Sequence, residues 1–270
     1  MKKLSARRRH PLAAVVVLLL ALACTGTVYD LFAPTSKAQA EESAQSLTIE
    51  EGKKLYTVGC ASCHGTGGQG TSDGPSLVGV GAAAVDFQVA TGRMPAATSQ
   101  GAQVPKKKNI YSQAEIDQLA AFIASLGAGP SVPTEEQYGS EGADIAKGGE
   151  LFRNNCAQCH NFTGKGGALT KGKFAPTLED VDPKHIYEAM QTGPQNMPSF
   201  PDTTLSEQNK KDIIAYLHAV NSDETVNPGG LELGGLGPVS EGLFAWIFGL
   251  GGLIAVAVWV AARTAKAKKS

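Results

Sequence analysis

The stretch that decides the fold is residues 52–65, GKKLYTVGCASCHG, which returns 96 residues later as residues 148–161, GGELFRNNCAQCHN. Both copies keep a glycine and a leucine-aromatic pair ahead of a C-x-x-C-H motif. A self-similar segment at a fixed offset indicates that one structural unit is used twice. The sequence therefore predicts two related modules in tandem, each built around its own C-x-x-C-H motif.

The repeat continues beyond the motif. Each copy is followed by a glycine-rich loop and a Pro-x-Leu step, at Pro75–Leu77 and at Pro176–Leu178. A Met-Pro pair comes next, at Met94-Pro95 and at Met197-Pro198, and an apolar-patterned segment closes each copy. Four matching features in the same order make the repeat a property of the whole module.

The spacing C-x-x-C-H is that of covalent haem c attachment. The two thiols add to the two vinyl groups of one porphyrin, and the adjacent histidine ligates the iron. The thioether-forming cysteines and the ligating histidines are Cys60, Cys63 and His64 in the first copy and Cys156, Cys159 and His160 in the second. A dithiol redox motif does not need the histidine, and a zinc ribbon needs a second C-x-x-C after about 15–20 residues. We therefore expect two covalently bound haems.

The sixth iron ligand is expected from the Met-Pro pairs. Met94 and Met197 occupy matching places after their motifs, and a following proline fixes the loop that carries each thioether. Met190 lies at an apolar position of a predicted helix and is expected in the core. The rival ligands are His185 and His218, both on predicted helices. Methionine ligation raises the potential and closes the coordination sphere, which favours electron transfer over peroxide or oxygen chemistry.

Helix signals dominate both modules, so the predicted fold class is all-α. Possible capping boxes occur at Thr48–Glu51 and Ser112–Glu115, and further helix starts at Asp182-Pro183 and Leu205-Ser206. No stretch shows sustained alternation of apolar and polar residues. Each module has roughly 80 residues, a marginal size for an apolar core, so we expect the haem to complete it.

The C-terminal end carries a predicted transmembrane helix. Leu243–Ala262 is a run without a charge, long enough to cross a bilayer core of about 30 Å. Arg263 and three lysines follow, so the positive-inside rule predicts a cytoplasmic C-terminus. The alternative is a buried core helix, but nothing else in the chain is suited to bury it on all sides.

The N-terminal end carries a second apolar segment. A basic start precedes uncharged residues 11–29, which fits a signal peptide or a retained signal anchor. Ala38–Ala40 is a possible cleavage site, although it lies far from the apolar segment, and Cys24 is a weak lipidation signal. We favour a retained anchor. Both interpretations place the modules outside the cytoplasmic membrane, where c-type haems are attached.

The chain between these ends is acidic. Residues 41–240 hold 14 basic and 23 acidic side chains, a net charge of −9. This balance argues against nucleic-acid binding and suits a basic protein partner, although a solvated surface explains it equally well. The predicted organisation is 1–40, N-terminal signal anchor or signal peptide; 47–127, module 1; 128–142, linker; 143–222, module 2; 223–240, glycine-rich tether; 241–263, transmembrane helix; 264–270, cytoplasmic tail.

The order of these parts resembles the dihaem cytochrome c subunit, cytochrome cc, of the actinobacterial cytochrome bc complex, a menaquinol–cytochrome c reductase. The resemblance covers nearly the whole chain: a basic apolar N-terminus, two C-x-x-C-H modules with Met-Pro loops, a glycine-rich tether, and a C-terminal span followed by lysines. It implies an electron-transfer subunit of a proton-translocating oxidoreductase complex in the cell membrane. The subunit would have no catalytic residue and no quinol chemistry of its own.

The same resemblance implies the partners, namely the cytochrome b subunit, the Rieske iron–sulfur subunit and a haem–copper cytochrome c oxidase. The module 1 haem would face the Rieske protein and the module 2 haem the oxidase. Two alternatives stay open. One is a dihaem subunit of another membrane dehydrogenase or oxidase, and the other is a dihaem peroxidase, which would need one iron open or ligated by histidine.

Overall fold

The computed structural model describes residues 11–32, 36–96, 103, 105–222 and 238–267. It divides into two compact units, one formed by the described residues up to Glu51 and one by those from Gly52 onward. The helices are α1 Pro11–Phe32, α2 Ser36–Gly59, α3 Ala61–His64, α4 Ala82–Ala90, α5 Gln113–Ser125, α6 Glu135–Tyr138, α7 Ile145–Asn155, α8 Ala157–His160, α9 Pro183–Thr192, α10 Glu207–Asn221, α11 Pro238–Phe244 and α12 Gly251–Ala267. The prediction of an all-α fold is confirmed.

A close helix crossing forms the framework of both modules. A Cβ added at Gly52 of α2 would lie 1.9 Å from the backbone oxygen of Gln118 in α5. A Cβ added at Gly148 of α7 would lie at the same distance from the oxygen of Asp212 in α10. Because glycine has no side chain, the backbones of the first and last helix of each module can come into direct contact at these positions.

A tyrosine–phenylalanine pair packs at each crossing. The tyrosine is on the first helix in module 1 and on the last helix in module 2. The ring centroids of Tyr56 and Phe122 are 5.1 Å apart in module 1, and those of Phe152 and Tyr216 are 5.6 Å apart in module 2. Both separations lie in the range that favours tilted aromatic contacts. The leucine-aromatic pair noted in the sequence thus supplies one member of each contact.

Three of the four predicted helix starts are confirmed. Ser112 accepts a hydrogen bond from the backbone N–H of Glu115 and the capping box is complete, while Ser206 and Asp182 cap α10 and α9. The start at Thr48 is wrong. Helix α2 runs unbroken through this residue, and the Thr48 hydroxyl donates to the backbone oxygen of Ala44 instead of capping a new helix.

Module 2 contains one short strand pair that the sequence did not predict. Gly167–Ala168 (β1) pairs antiparallel with Phe174–Ala175 (β2) around a tight turn at Thr170–Gly172. Two-residue strands are too short to leave an alternating pattern. The side-chain amide of Gln103 extends this pair, because its nitrogen donates to the Phe174 oxygen and its oxygen accepts from the Phe174 N–H, each at 3.0 Å.

The two modules also pack directly on each other. Helix α4 of module 1 lies against α9 of module 2. Together with the Gln103 contact, this packing joins the modules at two places, whereas the sequence suggested only a linker between them.

Both chain ends form apolar helices long enough to cross a membrane. The qualifying segments are Leu12–Tyr29 in α1 and Ser240–Arg263, which runs from α11 through a π-helical segment at Ala245–Leu250 into α12. Neither segment is buried in the protein. The alternative of a buried core helix is therefore excluded for the C-terminal segment.

Candidate haem sites

The C-x-x-C-H motif of module 1 begins at a break between two helices. Helix α2 ends at Gly59, and after Cys60 the chain re-enters a short helix, α3, that ends at His64. Gly65 then turns the chain with a φ of 80°. Cys60 is half-buried, Cys63 is exposed and His64 is only 8 % exposed.

Module 2 repeats this break. Helix α7 ends at Asn155, Cys156 breaks the helix, and α8 ends at His160. The next residue, Asn161, has a φ of 66°, the same left-handed turn that Gly65 makes. His160 is also 8 % exposed, Cys156 is buried and Cys159 is exposed. The repeat seen in the sequence is therefore a repeat of backbone geometry.

The Pro-x-Leu steps orient the two histidines. His64 Nδ1 lies 2.7 Å from the Pro75 carbonyl oxygen, and His160 Nδ1 lies 3.1 Å from the Pro176 carbonyl oxygen. A carbonyl can only accept, so Nδ1 carries the proton and donates it. The lone pair of each ring is then on Nε2, the arrangement that second-shell partners impose on metal-ligating histidines. Burial also lowers the pKa of His160, against the effect of its carbonyl partner, which favours the neutral ligand form.

The four motif thiols are all free, as thioether formation requires. Burial raises the pKa of Cys156 to about 12, with a further contribution from Cys159, and burial likewise raises the pKa of Cys60. In each module one thiol is thus sheltered and the other faces solvent.

The two Met-Pro loops are placed differently in detail. The Met94 N–H donates to the Gln88 oxygen at 2.9 Å, and the Met94-Pro95 peptide bond is cis. The Met197 N–H donates to the Pro194 oxygen at 3.1 Å. Met197 is partly buried and packs against the module 2 core that also contains Cys156. The methionine and the motif therefore border the same core in module 2.

The other candidate ligands have different roles. Met190 is 2 % exposed and lies in the module 2 core, so its assignment to the core is confirmed. His185 lies on α9 with its Nδ1 2.9 Å from Glu188 Oε2. His218 is exposed on α10. Asp86, whose carboxylate lies close to His185 at the module interface, was not predicted from the sequence. A single aspartate in an apolar helix gave no signal by itself.

These donor sets fit covalently attached haem c. Two free thiols at C-x-x-C spacing, a buried histidine with its Nε2 lone pair available and a methionine loop recur in both modules. A haem at each site would be held by the two thioethers and ligated by the histidine.

The comparisons with known proteins agree with this assignment. Residues 49–127 match the family model described as "Cytochrome c", and residues 143–217 match "Cytochrome C oxidase, cbb3-type, subunit III". The chain is therefore a c-type cytochrome with two cytochrome c domains.

Full-length relatives define the family more closely. The chain is 46 % identical over 265 residues to the "Cytochrome bc1 complex cytochrome c subunit" of Mycobacterium tuberculosis, covering 96 % of this chain and 93 % of that one. It is 45 % identical to the protein of the same name from Corynebacterium diphtheriae, covering 97 % and 99 %. The chain belongs to the family of cytochrome bc1 complex cytochrome c subunits, as its resemblance to that family implied, and so to a membrane-bound respiratory oxidoreductase complex.

A more distant relative matches only about half of the chain. The "Cbb3-type cytochrome c oxidase subunit FixP" of Sinorhizobium medicae is 27 % identical over 150 residues, covering 53 % of this chain and 48 % of that one. The full-length similarity therefore favours the bc1 family over the oxidase family.

Proposed function

We propose that this chain carries two haem c groups and relays electrons from the Rieske iron–sulfur protein to a haem–copper cytochrome c oxidase. It does so as a subunit of a quinol–cytochrome c reductase that also contains cytochrome b. The proposal rests on the family and extends it to the direct partners. In this assignment the subunit itself performs no quinol chemistry.

The observation that carries the proposal is the duplicated ligand set within one packed unit. Each module offers two thiols, a histidine and a methionine, and α4 and α9 hold the modules against each other. A single carrier would need only one such set. Two sets in modules that pack against each other suit a relay that replaces a diffusing cytochrome c.

When bound, the haem irons supply reversible one-electron chemistry. The residues of this chain keep the rearrangement small. Pro75 and Pro176 fix the histidine rings, and Met94 and Met197 are proposed to close the coordination spheres. With His64 and Met94 on one iron and His160 and Met197 on the other, peroxide and oxygen would find no open site.

The proposed topology puts both modules on the extracytoplasmic side. The C-terminal span is followed by basic residues, which supports a cytoplasmic C-terminus. The N-terminal helix α1 is proposed to stay as an anchor. In support of this, Ala38–Ala40 falls within the helical backbone of α2, whereas an extended segment would suit cleavage better.

Purification of the native assembly tests the proposed partners. A C-terminal affinity tag and mild detergent should recover cytochrome b, the Rieske protein and a haem–copper oxidase together with this chain. The purified assembly should consume oxygen with menaquinol as donor and without added soluble cytochrome c. Recovery of the chain alone, with a dehydrogenase, or only with a cbb3-type oxidase would contradict the proposal.

The order of the two modules needs its own test. If module 1 accepts electrons from the Rieske protein, Met197→His should leave rapid quinol reduction of the module 1 haem intact while oxygen consumption falls. Met94→His should slow the reduction of both haems. The reverse pattern would exchange the two assignments.

A further inference from the structure

The interface between the modules encloses a cluster of ionisable groups that haem binding does not use. Asp86 comes from α4 of module 1, whereas Lys184, His185 and Glu188 come from α9 of module 2. The side chains of Asp86 and Glu188 are completely buried. Two buried carboxylates are costly unless cations or hydrogen bonds compensate them.

The compensation within the described residues is incomplete. Asp86 Oδ2 accepts from Lys184 Nζ at 2.8 Å and from Gln113 Nε2 at 3.1 Å. Glu188 Oε2 accepts from His185 at 2.9 Å. Asp86 Oδ1 and Glu188 Oε1 are both buried and have no hydrogen-bond partner among the described residues. Each module thus contributes one unsatisfied carboxylate oxygen to the same interface.

The donor atoms lie close enough together to share one ion. Asp86, His185 and Glu188 each offer a ligand atom, and these atoms are all within 4.8 Å of one another. A Zn²⁺ ion about 2.1 Å from each atom needs neighbouring ligands about 3.4 Å apart, so atoms separated by the full 4.8 Å would have to approach by about 1.4 Å. One imidazole with two carboxylates suits Zn²⁺ better than Mg²⁺ or Ca²⁺, which prefer oxygen ligands.

We propose that Asp86, His185 and Glu188 bind one divalent transition-metal ion of the Zn²⁺ type, which bridges the two haem modules. No other described part of the chain brings three such donors together. Because one ligand comes from α4 of module 1 and two come from α9 of module 2, the ion would strengthen the contact between these two helices.

Lys184 would compete with the metal ion for the carboxylate of Asp86. With a neutral histidine, two carboxylates and one ammonium leave the cluster with a net charge of −1. Lys184 is 20 % exposed, so its ammonium can move into water when a dication takes its place. Two carboxylates and a dication then form a neutral cluster. Removal of the lysine charge should therefore strengthen metal binding, which distinguishes a metal site from a simple ion pair.

Zinc titration of the full-length, haem-loaded chain in detergent tests the site. A Cys24→Ser background removes the one thiol outside the haem motifs, which is exposed. After treatment with a chelator, the parent should bind one equivalent of Zn²⁺ by calorimetry and elemental analysis, with no competition from excess Mg²⁺. Asp86→Asn and Glu188→Gln should each weaken binding at least tenfold, since even outer-shell changes cost about 10–100-fold.

Two further variants keep the test decisive. Lys184→Gln should bind zinc more tightly than the parent, and His218→Gln, which alters an exposed histidine on α10, should bind it equally. The haem absorbance of every variant should match the parent, which excludes misfolding. Absence of zinc binding in both the parent and Lys184→Gln would overturn the proposal. Equal binding to Asp86→Asn would place the ion elsewhere and overturn it as well.

Discussion

At the scale of single residues, the proposed axial ligands would decide what each haem can do. The structure fixes the proton of each motif histidine on Nδ1 through a proline carbonyl. Both motif histidines therefore have the same tautomer, with the lone pair on Nε2. Arg93 is 9 % exposed and directly precedes Met94, whereas the residue before Met197 is the neutral Asn196. The cation beside the Met94 loop is therefore its own neighbour in the chain, whereas the Met197 loop has Lys173, whose Nζ donates to Asn196 Oδ1 at 2.9 Å.

Replacing either methionine of the proposed ligand set by histidine should lower the potential of one haem only. Met94→His should lower the module 1 potential and Met197→His the module 2 potential, because methionine ligation raises it. We expect each shift to exceed about 60 mV, a tenfold change in a one-electron equilibrium. Spectroelectrochemical titration measures both potentials. Met190→Leu, a change in the core, should move neither, and unchanged potentials in both histidine variants would refute the ligand assignment.

A buried lysine supplies a second test at this scale. The Lys210 side chain is completely buried, its Nζ is 2.6 Å from Asp202 Oδ1, and it lies 5.2 Å from the centre of the Tyr187 ring. Asp202→Asn keeps an acceptor but removes the countercharge, so we expect a loss of about 1–3 kcal/mol in unfolding free energy. Guanidinium unfolding in detergent, followed by haem absorbance, measures the change.

The matched control for Asp202 is an exposed ion pair. Glu150 lies 3.0 Å from Lys147, with both side chains about half exposed. Glu150→Gln should cost less than about 0.5 kcal/mol because water screens such pairs. Equal losses of unfolding free energy in Asp202→Asn and Glu150→Gln would show that burial of Lys210 does not determine how much its ion pair stabilises the fold.

At the scale of helices, the glycine crossings fix the framework. Gly148→Ala would place a Cβ 1.9 Å from the Asp212 oxygen, so α7 and α10 would have to separate. Overpacking of this kind costs about 1–3 kcal/mol, and more where backbone must move. A shift in the unfolding midpoint of the haem-loaded chain measures it. Ala146→Ser, at an exposed position of the same helix, should have little effect, and full tolerance of Gly148→Ala would mean that the crossing is not rigid.

The sequence predicted those helices whose signals are local. Ser112, Asp182 and Ser206 cap their helices because a side-chain oxygen next to an apolar run needs no distant partner. Thr48 failed because α2 extends N-terminally with enough helix-forming residues to pass through a possible cap. The motif cysteines and histidines could be predicted because haem c attachment requires these residue types at this spacing.

The parts that could not be predicted are those made by distant contacts. Nothing local shows that Asp86 meets α9 across the module interface, or that Gln103 pairs with the backbone of Phe174. The sequence also gave no reason to expect a hydrogen bond between the Pro75 carbonyl and His64, although the repeated Pro-x-Leu motif showed that the position matters in both modules. Tertiary geometry had to supply each of these partners.

At the scale of the whole molecule, haem is expected to be part of the core. Two domains of this size bury little apolar surface without it. We predict that the chain produced without haem attachment is poorly folded, and thiol reactivity reports this directly. In a folded module 2, burial raises the pKa of Cys156 to about 12, so Cys156 should react far more slowly than exposed Cys159. In a poorly folded chain both should react alike.

Timed alkylation and mass spectrometry measure the two rates. Denatured protein supplies the reference in which all four motif thiols react equally. Strong protection of Cys156 in the haem-free chain, together with a sharp cooperative melt, would show that the modules fold before haem arrives and would refute this prediction.

The double contact between the modules, through α4 with α9 and through Gln103 with β2, has a kinetic consequence. Electron tunnelling falls off steeply with the gap it must cross, so a tether of variable length would spread the transfer times over a wide range. Modules packed on each other present one gap in every turnover. In the proposed relay, the time for an electron to cross from one module to the other would then be set by the fold, independent of solvent viscosity and of diffusion of the carrier.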